Sequence, residues 1–149
     1  MRYRLVPPAD LDITDVHAAV PSKANAVEDC CAQLLESTAI GSREEARTWL
    51  VFLHALGMVA EGTDGYHRIS DNFSSGSLRE SFVDEVYGVA ELVAVVEASD
   101  HPLARDELVE RVAAGLSPSG DWEGNVDRLV GWAERFGIVS VSAGGYVVA

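Results

Sequence analysis

Apolar side chains recur at intervals of three and four residues along most of this chain, which is the period of an amphipathic helix. The pattern predicts helices over residues 12–19, 23–36, 42–56, 78–98, 104–114 and 121–136. Ser42 and Glu45 form a capping box at the start of the third helix, and Ser77 and Glu80 form another before residue 78. Gly57 is placed to end the third helix, because a left-handed C-terminal position favours glycine.

The period changes after two of these helices, where short alternating segments flank glycine-containing turns. Residues 58–60 and 66–69 predict one hairpin, and residues 138–141 and 146–148 predict another at the C-terminal end of the sequence. Each hairpin follows a helix that ends at a glycine. The chain is therefore predicted to be mainly α with small β-hairpins.

The two helix–hairpin segments form an internal repeat with an offset of 80 residues. Gly57 corresponds to Gly137 and Tyr66 to Tyr146, and no gap is needed from residue 46 to residue 66. Apolar positions of the preceding helices match at the same offset: Ala46, Trp49, Leu50, Phe52, Leu53 and Leu56 correspond to Val126, Leu129, Val130, Trp132, Ala133 and Phe136. Register over so many positions indicates two copies of one structural unit.

The order helix, glycine stop, short strand, turn and aromatic-led strand resembles the winged-helix superfamily, over residues 42–69 and again over residues 121–148. The resemblance implies two tandem winged-helix units in which the upstream helices complete each three-helix core and the hairpins are the wings. We expect unit 1 to span residues 1–69, a linker residues 70–77, and unit 2 residues 78–149.

Charge is the strongest compositional signal. The chain has 24 acidic and 11 basic residues, a net charge of −13, and Lys23 is its one lysine. This composition resembles that of proteins from salt-loving archaea, in which a hydrated carboxylate surface stays soluble while salt screens the repulsion. An ordinary acidic bacterial protein is the alternative.

The sequence offers little chemistry. Its histidines are not spaced as metal ligands, and the adjacent pair Cys30 and Cys31 lies on an apolar helical face, so we expect buried thiols in a reducing compartment rather than a disulfide or a zinc site. No phosphate-binding loop or catalytic triad is evident. We therefore expect no cofactor, no metal and no enzyme activity. Without an apolar segment long enough for a signal or a membrane span, we expect a cytoplasmic protein with no membrane partner.

Nucleic-acid binding is the first functional hypothesis, because in DNA-binding winged helices the third helix enters the major groove and the wing touches the backbone. The resemblance places these roles in unit 1. Its candidate DNA contacts are Arg43, Arg47, Thr48 and His54 on the third helix and His67 and Arg68 on the wing. The equivalent helix of unit 2 is rich in acidic residues, which would repel phosphate. These features favour a DNA-binding, transcription-regulator-like protein that acts through unit 1.

A protein-interaction module without DNA contact is the second hypothesis. Acidic tandem winged helices resemble the kleisin-binding subunits of chromosome-condensing complexes and the tandem winged-helix subunits of transcription machinery. A strongly negative charge fits this class directly. The sequence leaves both hypotheses open.

A heptad-like seam runs along the predicted helix 78–98. Its members follow steps of four, three, four and three: Phe82, Val86, Val89, Val93 and Val96. Such a seam needs cover, either from unit 1 of the same chain or from a second copy in a homodimer.

Overall fold

The computed structural model describes residues 6–21, 27–62, 65–69, 74–115, 122–142 and 144–149. In that part of the chain seven helices and two hairpins follow one another: α1 (Ile13–Ala19), α2 (Val27–Ser37), α3 (Arg43–Ala55), β1 (Val59–Gly62), β2 (Gly65–Arg68), α4 (Ser75–Glu85), α5 (Val89–Ala98), α6 (Arg105–Ala114), α7 (Trp122–Arg135), β3 (Val139–Ser142) and β4 (Gly145–Val148). The predicted class, mainly helical with small hairpins, is confirmed.

Helix starts and stops follow the local sequence. The Ser42 hydroxyl accepts a hydrogen bond from the backbone N–H of Glu45 at 3.1 Å, as the capping box predicts. Gly57 has φ +77° just beyond the end of α3, which is the left-handed conformation that favours glycine. The predicted start of α2 at residue 23 lies outside the described residues.

The two hairpins are equivalent residue for residue. Shifting β1 and β2 by 80 gives the bounds of β3 and β4. Glu61 faces Tyr66 across the first hairpin, and Val141 faces Tyr146 across the second. The two tyrosines therefore take equivalent places on the last strand of each unit, as the repeat predicts.

A short third segment borders each hairpin. Leu103 and Tyr146 form an antiparallel bridge, with N–H···O distances of 3.1 and 2.7 Å. In unit 1 the N–H of Arg68 donates to the carbonyl of Pro21 at 2.7 Å. At the offset of 80, Pro21 and Arg68 correspond to His101 and Val148. These two positions lie two residues further along the same antiparallel register as Leu103 and Tyr146. In both units the two-stranded hairpin is thus joined by backbone hydrogen bonds to a segment that precedes it in the chain.

One aromatic cluster joins the two units. Trp132 of α7 contacts Trp49 and Phe52 of α3, with ring centroids 5.4 and 4.8 Å apart. Phe82 of α4 lies between units, with ring centroids 6.2 Å from Phe52 and 4.9 Å from Phe136. Shifted by 80, α1, α2 and α3 fall on α5, α6 and α7, so α7 is the third helix of the repeat in unit 2 and α4 precedes the repeat. The third helices of the two units therefore share a core.

The predicted continuous helix over residues 78–98 is wrong. Helix α4 ends at Glu85, and α5 begins at Val89. Between them Val86 is extended, with φ −101° and ψ 124°, and Gly88 is left-handed, with φ +95°. Glycine has no Cβ to oppose this conformation, so the chain turns here. Periodicity did not reveal the break, because both helices are apolar on the side that faces the core.

The break also changes the heptad seam. Four of its members, Phe82, Val86, Val89 and Val96, are buried within the chain, and Val93 is half-buried. A seam already covered from within is not free for a second copy. The burial agrees with cover from within the chain, and whether the protein forms a homodimer stays a prediction.

The start of α4 differs from its predicted capping box. The helix begins at Ser75, and the hydroxyl of Ser74 accepts from the N–H of Ser77 at 3.1 Å. Residues 70–73 of the predicted linker lie outside the described residues. Cys31 is buried, as predicted, and the side chain of Cys30 lies outside what the structure describes.

Candidate nucleic-acid interface

Helix α3 has one face in the core and one outside it. Its buried residues follow the apolar spacing of the repeat, and on the opposite face Arg43 and Arg47 are exposed one turn apart. Neither guanidinium has an ion-pair or hydrogen-bond partner in the part of the chain that the structure describes. Glu44 is exposed on the same helix, so the face is mixed in charge. Two arginines one turn apart can reach neighbouring phosphates or a base edge.

The other two predicted contacts on α3 are half-buried. Thr48 lies one turn after Glu44, and its hydroxyl donates to that residue's carbonyl at 3.1 Å. His54 lies at the C-terminal end of α3 and meets Tyr66 of the wing edge to face, with ring centroids 6.1 Å apart. Thr48 and His54 therefore flank the arginines rather than project beyond them.

The two wing candidates are held close to the protein. Arg68 donates from Nη1 to the carbonyl of Ala18 at 2.7 Å, at the C-terminal end of α1. His67 is half-buried, and its Nδ1 is buried with no hydrogen-bond partner in the described structure. The structure thus gives Arg68 a contact within unit 1 that the sequence did not indicate.

His17 fixes the base of the wing. Its Nε2 lies 3.0 Å from the carbonyl oxygen of Met58 and 2.9 Å from that of Ile69. Because both neighbours are acceptors, Nε2 carries a hydrogen that it shares between them. The contacts join α1 to residues on either side of the hairpin, 41 and 52 positions along the chain. Sequence reasoning missed this role, since no local pattern encodes such distant partners.

Unit 2 reverses the charges of the candidate face. At the offset of 80, Asp127 replaces Arg47 and Glu134 replaces His54. The Asp127 carboxylate accepts from Arg105 Nε at 2.6 Å, and this hydrogen bond raises the pKa of the guanidinium. The face of α7 that corresponds to the candidate face is therefore acidic, and that it repels phosphate stays a prediction.

A segment without regular secondary structure, residues 6–11, lies across α7. The N–H of Val6 donates to Asn125 Oδ1 at 3.4 Å, and Trp132 Nε1 donates to the carbonyl of Pro7 at 2.7 Å. These side chains hold the segment by its backbone, and the side chain of Val6 is buried in the core. The segment belongs to unit 1, whereas α7 belongs to unit 2.

Two arginines extend the same contact. Arg128 Nη1 donates to the carbonyl of Val6 at 3.3 Å, and Arg135 Nη1 donates to that of Leu11 at 2.6 Å. Between them Gly131 faces Ala9, and a Cβ built on this glycine would lie 3.2 Å from the Cβ of Ala9. The surface of α7 along this stripe is therefore occupied by the chain itself.

The two wings also differ in polarity. Val141 and Val148 of the second hairpin are 58% and 46% exposed. At the offset of 80 they replace Glu61 and Arg68 of the first hairpin. Unit 2 thus presents apolar surface where unit 1 presents charge.

Metal binding and membrane crossing would each require other features of the described residues. No group of three or more histidine, cysteine, aspartate or glutamate side chains in that part of the chain is arranged to hold a metal ion. None of its helices combines the length and apolar character that crossing a membrane requires.

Comparison with curated proteins and with solved structures gives no significant match. A family model does match. The repeated helices and the two equivalent hairpins agree with its description as a double winged helix. The model of the Halobacterial double winged helix domain matches residues 1–149, and the chain belongs to that family.

Proposed function

We propose that this protein is a DNA-binding, transcription-regulator-like protein of the cytoplasm, and that it reads DNA with α3 of unit 1. Arg43 and Arg47 supply the contacts to phosphates and guanine edges, and Thr48 and His54 border them on the same helix. His67 and Arg68 place the wing beside the backbone of the duplex. Arg68 would do so with the guanidinium N–H groups that its contact to Ala18 leaves unused.

The observation that carries this proposal is the contrast between the two third helices. On α3 the arginines are exposed and without partners in the described structure. The corresponding helix α7 bears acidic side chains, and residues 6–11 lie across it. A helix covered in this way cannot enter a groove unless the covering segment leaves it. Only unit 1 therefore offers a third helix with available cationic side chains.

The net charge of −13 limits how DNA approaches. At low ionic strength the acidic surface repels phosphate over tens of ångströms, because the Debye length is about 30 Å at 0.01 M salt. At molar salt the Debye length is about 3 Å, so that only charges at the interface still act on the phosphates. The same salt weakens phosphate binding by removing the gain from counterion release. We therefore expect recognition to depend on base contacts more than in a basic winged helix.

Fluorescence anisotropy with a labelled mixed-sequence duplex, at fixed salt, tests the proposal. Replacing Arg43 and Arg47 together by alanine should weaken binding by about tenfold or more. The slope of log K against log salt should fall by about 0.9 for each phosphate that the variant no longer neutralises. The matched control replaces Arg79 and Arg111 by alanine, which removes the same charge from exposed positions of unit 2 away from α3 and should matter less.

Equal weakening by the two double variants would contradict the assignment to unit 1. Failure of the unaltered protein to bind any duplex, across a range of salt, would overturn DNA binding itself.

The second candidate function is a protein-interaction module. The exposed apolar positions Val141 and Val148 of the second wing favour it, and so does the acidic charge. Co-purification from native cells, with both nucleic acid and protein recorded, separates the two functions. Recovery of a protein partner without nucleic acid would favour the interaction module.

A further inference from the structure

A cleft of about 420 Å³ opens in unit 2 between the C-terminal end of α5 and strand β4. Its walls include Val96, Pro102, Val147 and Val148, and its rim carries Glu97 and Asp100. It lies on the side of unit 2 where Val148 is exposed, whereas residues 6–11 contact α7. The cleft belongs neither to the candidate DNA interface nor to the shared aromatic core.

The corresponding space in unit 1 is bridged by the chain's own side chains. There Arg68 reaches from β2 to the carbonyl of Ala18, at the end of α1. His17 reaches from α1 to the two ends of the hairpin. Strand β4 is equivalent to β2 residue for residue, and it has Val148 at the position of Arg68. Valine is too short to span the gap and has no side-chain N–H groups to donate, so the space stays open in unit 2.

The open cleft is electrostatically suited to a cation. The C-terminal end of α5 presents backbone carbonyls with the negative end of the helix dipole, and no basic residue lies in its last turn. Glu97 and Asp100 add carboxylates at the rim. His101 Nδ1 lies 2.8 Å from Asp100 Oδ1, and this hydrogen bond lowers the pKa of the Asp100 carboxyl. The carboxylate is therefore ionised at neutral pH.

We propose that this cleft is a docking site for an arginine side chain on a basic segment of a partner protein, which would fill in unit 2 the place that Arg68 fills in unit 1. The methylene stem would lie against Val147 and Val148, as long basic side chains cover apolar surface. The guanidinium would donate to the carbonyls at the end of α5 and to the rim carboxylates. Arginine fits better than lysine, because its planar fork offers several donors to separated acceptors. Nucleic acid is unsuited here, since the carboxylates of Glu97 and Asp100 repel phosphate and His101 is hydrogen-bonded to Asp100.

This proposal is independent of DNA binding by unit 1, and it is tested with the full chain and a defined probe. The probe is the capped peptide Ala-Val-Arg-Val-Ala, and its control is the same peptide with citrulline, a neutral isostere, in place of arginine. Titration is followed by the amide resonances of the protein. The arginine peptide should shift the resonances of Val147, Val148 and Asp100, and the citrulline peptide should bind at least about tenfold more weakly.

Two variants of equal charge locate the site. Val148→Arg should fill the cleft from within and abolish binding of the peptide. Val141→Arg lies on the same hairpin, outside the cleft lining, and should reduce binding much less. Both positions are exposed, so both variants are expected to fold. A third variant, Glu97→Gln with Asp100→Asn, should weaken binding of the arginine peptide by about tenfold while leaving that of the citrulline peptide unchanged.

Three outcomes would overturn the proposal. The first is equal binding of the two peptides, and the second is an equal decrease in binding for Val148→Arg and Val141→Arg. The third is self-association of the unaltered protein that Val148→Arg abolishes, because the occupant would then be a second copy of this chain.

Discussion

Trp49 and Trp132 meet edge to face, with their ring centroids 5.4 Å apart and their ring planes at 83°. One belongs to the third helix of unit 1 and the other to the third helix of unit 2. In each unit considered alone, such a side chain would be an apolar surface without cover. Their contact makes the interior of the two units continuous.

Truncating Trp132 should destabilise the whole chain in one step. Its indole packs on α3, and its Nε1 donates to Pro7, so Trp132→Ala removes an interaction with each of these parts of unit 1. We expect a decrease in unfolding free energy of about 3–5 kcal/mol, the range for large aromatic side chains in cores. Urea unfolding followed by both tryptophan fluorescence and far-ultraviolet circular dichroism measures it. Val141→Ala, at an exposed position, is the control. Two separate transitions in the unaltered protein would contradict the shared core.

Gly145 should tolerate no side chain. It has φ +148°, and a Cβ at this position would overlap the carbonyl of Leu103, where the bridge to Tyr146 forms. Gly145→Ala should cost about 3 kcal/mol or more, because the backbone itself must move. Gly144 is the matched control, since it has φ +101° with open space around it. Gly144→Ala should cost only the conformational strain of about 1–2 kcal/mol. Equal destabilisation of the two variants in chemical denaturation would show that the close approach of Leu103 is unimportant.

Removing the imidazole of His17 should loosen the first wing. His17→Ala removes the donor that the carbonyls of Met58 and Ile69 share. The Met58 carbonyl keeps the N–H of Ile69, so the cost of about 1–3 kcal/mol comes mainly from the Ile69 carbonyl. His101→Ala is the control, because that ring is exposed and its partner is a solvated carboxylate. In His17→Ala, amide hydrogen exchange in β1 and β2 should be faster than in the unaltered protein. Exchange in β3 and β4 should change less. Unchanged exchange in the first hairpin would remove this role for His17.

Stability should rise with salt. The chain has 24 acidic side chains against 11 basic ones, so repulsion destabilises the folded state when salt is low. Thermal melts in a KCl series should show a midpoint that increases as the Debye length falls from about 30 Å at 0.01 M to about 3 Å at 1 M. A sodium sulfate series at matched ionic strength separates screening from the general strengthening of apolar burial. A midpoint independent of KCl would contradict salt adaptation.

Most of the correct fold prediction came from the internal repeat. An offset of 80 placed both hairpins correctly, because glycine stops and strand tyrosines report local backbone geometry. The same local patterns could not reveal the turn at Gly88, since the apolar positions on either side of it continue the heptad spacing. Core packing determines where the helix breaks, because α4 extends out of unit 2 to contact Phe52 of unit 1.

The sequence predicted which residues belong to the candidate site, but it predicted their exposure and contacts only in part. Exposure of Arg43 and Arg47 follows from helical periodicity, which assigns them to the face opposite the buried residues. The attachment of Arg68 to α1 and the placement of residues 6–11 on α7 do not. They depend on side chains that bind backbone carbonyls 50 and 125 positions away, and no spacing in the sequence encodes such partners.

The third helix of each unit is covered by a segment of the other unit, and this has a consequence for how such a chain arises and changes. Residues 6–11, ahead of unit 1's helices, lie on the third helix of unit 2, and α4, ahead of unit 2's other helices, lies on the third helix of unit 1. Each copy of the repeat is thus completed by the other, so half a gene would encode a protein with an open interior. Once two copies depend on each other for folding, neither can be deleted, yet the outer surface of each is free to diverge. Exposed arginines on one copy and exposed valines on the other are the difference expected when two copies need each other for stability but no longer need the same outer surface.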